Sequence, residues 1–145
     1  MSGSTTVQNH ADIVARELTL LSRASRELSE LLPQEDIYQA IGRRLHELAP
    51  KAVIWISSID ESSERFTLRS LMGLGPHFET IVRILGRSPI GLSSYINSAA
   101  KQGLTRGRLE KVPGGLYEVG VGILTQSVCR AIEKLLGLGD LYGMG

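Results

Sequence analysis

Few side chains in this sequence are suited to chemistry, and their spacing limits what they could do. Cys129 is the single cysteine, so no internal disulfide can form. It sits beside Val128 and Ile132 on an apolar helical stripe, where a thiol is either an inert packing group or a soft ligand for a cofactor. The three histidines, His10, His46 and His77, are far apart in sequence and no pair has the spacing of a metal site. Ser93, Ser94 and Ser127 have neither a neighbouring histidine nor an elbow motif, so a serine nucleophile is not announced. Gly73-Leu-Gly-Pro and Gly137-Leu-Gly-Asp lack the spacing and the lysine of a phosphate loop, and read as turns and helix caps. Pro113-Gly-Gly-Leu-Tyr117 has two readings: a tight turn, or a place where glycines let the backbone approach a ligand that Tyr117 meets with its aromatic face. No acid/base pair or activated nucleophile can be assembled, which speaks against a free-standing enzyme.

The elements that must position these groups begin with a helix expected over 10–32, after a polar tail over 1–9. Along it Ala11, Val14, Leu18, Leu21, Leu28 and Leu32 keep heptad spacing, broken only by Ser25. This seam is expected to form a dimer interface, with Val14, Leu18, Leu21 and Leu28 at its centre. Ile13, Leu20, Ala24 and Leu31 form a second stripe for the body of the domain. Pro33 ends the helix, and another is expected over 34–48, burying Ile37, Ile41, Leu45 and Leu48. Strands follow at 52–59 and 66–72, joined in a hairpin by the polar loop 60–64. In the second, Phe66, Leu68, Ser70 and Met72 alternate with Thr67, Arg69 and Leu71 and so should share one face. A helix to Leu85 carries Phe78, Ile81, Val82 and Leu85 inward. Short strands at 92–96 and 108–112, with a helical turn between them, lead to a helix capped by Thr125 or Ser127 and ended by Gly137. A last strand starts at Asp140 and is expected to lack its closing hairpin, as in part of a longer polypeptide.

Composition sets the outer limits. With 145 residues, 42% of them hydrophobic, the chain can form one domain with a real core. A formal charge of +1 exerts no general pull toward nucleic acid or anionic lipid, and no stretch is long and apolar enough to span a bilayer. The cysteine usage fits a reducing cytoplasm, and the first residues lack the regions of a signal peptide.

The order of elements, with Asp36-Ile-Tyr-Gln-Ala-Ile leading to Leu48-Ala-Pro-Lys-Ala-Val-Ile-Trp-Ile and the strand ending at Gly73, resembles a GAF domain, a small-molecule-sensing module. Val112-Pro-Gly-Gly-Leu-Tyr-Glu and Val128-Cys-Arg-Ala-Ile-Glu-Lys-Leu-Leu-Gly are similar to the GAF modules of archaeal, methanogen-type sensor histidine kinases. The resemblance implies an α+β fold, with a central antiparallel sheet of about six strands, helices on both faces and a ligand pocket on one face. Over 33–145 it implies such a domain, lacking its last strands. It also implies a homodimer through the N-terminal helix, a small-molecule ligand and a downstream kinase domain in the parent protein. Because a cysteine anchors a bilin or ligates haem in some members, Cys129, with Tyr117, becomes the candidate cofactor contact. The expected function is a sensory module relaying ligand occupancy through a dimeric helix. The alternatives are a haem or redox sensor using Cys129, and a structural dimerisation module with no ligand.

Overall fold

The computed structural model describes residues 3–30, 36–98, 101–102, 106–120 and 122–145, with the side chains of 3–9, 11 and 28 outside that set. The fold is mixed α+β: helices surround a small antiparallel sheet. The first helix, α1, runs Gly3–Glu30 and so starts earlier than expected, taking in most of the segment read as a polar tail. Polar residues at 3–9 do not oppose helix, and extending a nucleated helix fixes fewer dihedrals per hydrogen bond than starting one. Of the second stripe, Leu20 and Ala24 are half-buried while Ile13 is exposed, and Leu31 lies outside the described residues.

Helix α2, Ile37–Leu48, is fixed at its start by Asp36, whose Oδ1 accepts hydrogen bonds from the backbone N–H groups of Tyr38 at 2.8 Å and Gln39 at 3.4 Å. Its expected inward face is corrected by the structure. Ile37, Leu45 and Leu48 are exposed, whereas Ala40 and Gly42 are buried. Small residues prevail on the sheet side because the helix lies close to strand β2. A Cβ added at Gly42 would stand 2.8 Å from Ser70 Oγ and 3.2 Å from Met72 Cγ. Arg44 ties α2 to α1 through an ion pair with Glu27, and pairs within α2 with Glu47.

Strands β1, Ile54–Asp60, and β2, Arg65–Met72, form the expected hairpin. Asp60 organises its loop: Oδ1 accepts from the Ser62 N–H at 2.9 Å and the Ser62 hydroxyl at 2.7 Å, and Oδ2 from the Ser63 hydroxyl at 2.8 Å. These hydrogen bonds favour the carboxylate and lower the Asp60 pKa to about 2.

The register is regular from Ile54↔Met72 to Ile56↔Ser70 and then jumps to Ser57↔Leu68, leaving Arg69 without a partner. This bulge overturns the simple alternation expected of β2. Phe66, Leu68 and Leu71 share one face with Trp55 and Ser57, while Ser70 and Met72 turn to α2. Arg69 reaches back over the α2 face, donating to Ser58 Oγ at 2.8 Å and lying 5.7 Å from the Tyr38 ring centre.

Strand β3, Ser93–Tyr95, adds antiparallel to β2, giving the order β1-β2-β3. Helix α3, His77–Leu85, precedes it, and the helical turn expected after it falls in part outside the described residues. The sheet of about six strands implied by the resemblance is not what the described residues form: they make this three-stranded sheet and a separate two-stranded one. The latter pairs β4, Glu110–Lys111, with β5, Tyr142–Gly143, and is pinned by Lys111 Nζ to Asp140 Oδ1 at 2.9 Å. The terminal strand thus finds its partner in the segment near 108–112. Between β4 and β5 come a short helix α4, Gly115–Val119, and helix α5, Gln126–Leu136. The Thr125 hydroxyl caps α5 by accepting from the Val128 N–H at 3.4 Å, and Gly137 ends it with φ +59°. Leu74, Ile81 and Ile132 form the buried centre beneath α3 and α5.

The tight contact at Gly42 predicts a coupled pair. Gly42→Ala should cost up to about 2 kcal/mol in urea unfolding, since overpacking outweighs the gain of about 1 kcal/mol in helix propensity. The cost should shrink in a Ser70→Ala background, and equal costs in both would show that the contact does not limit packing. For Asp60 the folded pKa lies below the ordinary 3.8, so its contribution to stability is complete above about pH 4 and is lost as pH falls through about 2. Urea titrations between about pH 2 and 5 should show this acid limb flattened in Asp60→Asn.

Candidate functional site

The bulge in β2 leaves one face of the hairpin apolar, and α3, α4 and α5 close over that face without filling the space. A cavity of about 100 Å³ remains. Trp55, Phe66, Leu68 and Leu71 supply the sheet side, and Ile81 and Leu85 the α3 side. Leu116, Tyr117 and Val119 come from α4, and Cys129, Ile132 and Leu136 from α5. None of the described lining residues carries a charge. Ser57 contributes a buried hydroxyl that has no hydrogen-bond partner among the described residues.

Helix α4 is held in place from across the cavity rim. Glu133 Oε1, on α5, accepts a hydrogen bond from the Leu116 backbone N–H at 2.6 Å, neutralising a free donor in the first turn of α4. The Pro113-Gly-Gly sequence allows this approach. Gly115 has φ +67°, and a Cβ there would lie 2.5 Å from Glu133 Oε1. Both readings of this motif therefore contain part of the answer: it is a tight turn, and its glycine admits a carboxylate of the same chain while Leu116 and Tyr117 pass on to the cavity.

Cys129 and Tyr117, expected as cofactor contacts, meet in this one cavity. Tyr117 is 41% exposed and stands at the rim, whereas Cys129 is 3% exposed. Burial pushes the Cys129 thiol pKa up, and the nearby Glu133 charge adds to the shift, so the sulfur is held as a neutral thiol. These surroundings do not fit haem. A thiolate ligand is disfavoured and no histidine is among the described residues that line the cavity. Among the described residues no cluster of three potential metal ligands occurs.

Val14, Leu18 and Leu21 lie apart from the cavity on α1, where Leu18 is 61% and Leu21 67% exposed; the Leu28 side chain is outside the described residues. No described helix is long and apolar enough to cross a membrane. Trp55 and Phe66 line the cavity. Simple alternation does not point to Leu71, which reaches this face only through the bulge, whereas Ser57 shares the Trp55 face by the ordinary period of β1. The available signal was Ser70, a polar residue standing where simple alternation called for an apolar one.

No protein-family profile, curated protein or solved structure matches the chain.

A buried neutral thiol should react slowly. At about pH 8, iodoacetamide should modify Cys129 at least about tenfold more slowly than a free cysteine, with the difference lost in denaturing urea. A mass-spectrometric time course reads this directly, and modification as fast as in free cysteine would show that the thiol is open to solvent.

Proposed function

We propose that this chain is a ligand-binding sensory module of the GAF type, which takes a small molecule into the cavity between its sheet and helices α3–α5 and reports occupancy through α1. The cavity is the observation that carries this reading. Close packing is the rule in protein interiors, yet here an apolar space is kept between the sheet and three helices. The histidine kinase parent implied by the sequence wording belongs to the same proposal, with α1 as the link to an output domain.

A physical route from cavity to helix supports the relay. The β1–β2 hairpin separates the cavity from α2, Arg69 at the bulge lies over Tyr38 of α2, and Arg44 of α2 pairs with Glu27 of α1. A ligand that shifts the hairpin therefore acts on the seat of α1. It transmits a signal only to the extent that it binds one arrangement of the α1 dimer more tightly than another. Val14, Leu18 and Leu21 remain uncovered within one protomer, as a seam between two copies requires.

Light scattering after size exclusion tests the stalk. The chain should run as a dimer and Leu21→Glu as a monomer with unchanged circular dichroism, because a charge in a heptad seam is buried without a partner. A dimer of unchanged mass in Leu21→Glu would remove the seam from the mechanism.

A further inference from the structure

Resting on the reading of the cavity as a ligand site, we infer that its ligand is a neutral, largely apolar molecule of about one aromatic ring, and that anionic metabolites are excluded. Size comes first. At about 100 Å³ the space is of the same order as an engineered apolar cavity of roughly 150 Å³ that takes up benzene. Trp55, Phe66 and Tyr117 offer flat faces to such a ring.

Charge decides the class. A phosphate or carboxylate taken into an apolar space requires a cation or several N–H donors to offset its lost hydration. The described lining has no arginine, lysine or histidine. A carboxylate stands close by: Glu133, one turn along α5 from Cys129, adds its negative charge to the surroundings of the thiol and takes the Leu116 N–H. Ser57 Oγ, buried and without a partner among the described residues, is a polar handle suited to one hydroxyl or carbonyl of an uncharged ligand.

Trp55 is the only tryptophan in the chain and lines the cavity, so its emission reports occupancy without a label. The full chain is titrated with toluene, benzyl alcohol, benzoate and cyclic AMP, following Trp55 emission with excitation above the absorption of the probes, and the melting temperature is recorded at each end point. Toluene and benzyl alcohol should change the emission saturably and raise the melting temperature by mass action. Benzoate, close in shape to benzyl alcohol but charged, should bind at least about a hundredfold more weakly, and cyclic AMP should have no effect. Val119→Phe, which fills the space from α4, should abolish the response to the neutral probes. Benzoate or cyclic AMP acting as strongly as benzyl alcohol overturns the neutral-ligand inference and leaves the cavity as a binding site. No response to any of the four overturns the binding reading as well.

Discussion

The structure depends on the unpaired Arg69 in β2. A strand has a period of two, so a single extra residue exchanges the faces of everything beyond it. Before the bulge Phe66 and Leu68 look to the cavity; after it Leu71 does, and Ser70 and Met72 are handed to α2. Without the shift Leu71 would face α2 and Ser70 would take its place in an apolar wall. The bulge therefore makes the cavity wall continuous, and it also places Arg69 where it bonds Ser58 and lies over Tyr38.

The two sides of the sheet are packed in different ways. On the α2 side, Ala40 and Gly42 bring the helix so near that Ser70 is fully buried and its hydroxyl finds no partner among the described residues. An unsatisfied hydroxyl is tolerated where the surrounding contacts outweigh it. On the cavity side, larger side chains hold the helices away from the sheet. The five-residue α4 is too short to be stable alone, and Glu133 compensates by binding its first turn from α5. The hydrogen bond from Leu116 to Glu133 thus joins two of the helices that wall the cavity, beside their packing around Ile81 and Ile132.

This asymmetry is what the proposed sensory role would use. A ligand can influence a distant element only by preferring one of its arrangements, which requires parts that have more than one. In the proposed role that part is α1, where Leu18 and Leu21 are in contact with solvent. The α1–α2 contact is bridged by an ion pair between Arg44 and Glu27, a joint that permits adjustment more readily than an interlocked core.

Local chemistry along the chain was enough to establish most of the elements. The capping residues Asp36 and Thr125, the glycine stop at Gly137, the Asp60 hairpin loop and the β-branched run around Trp55 all act through neighbours a few residues away, and such signals are legible in sequence. The tertiary structure alone decided which faces turn inward. The apolar stripe of α2 gave way to Ala40 and Gly42 because close approach to β2 admits only small side chains, and the alternation of β2 gave way to a bulge because pairing with β1 sets the register. The pairing of β4 with β5 and the clamp of Glu133 on Leu116 join segments well separated in sequence, so no local pattern encodes them. Sequence thus determined the pieces and pointed to Tyr117 and Cys129, while long-range packing brought those two together with Trp55 and Phe66 around one space whose described lining is uncharged.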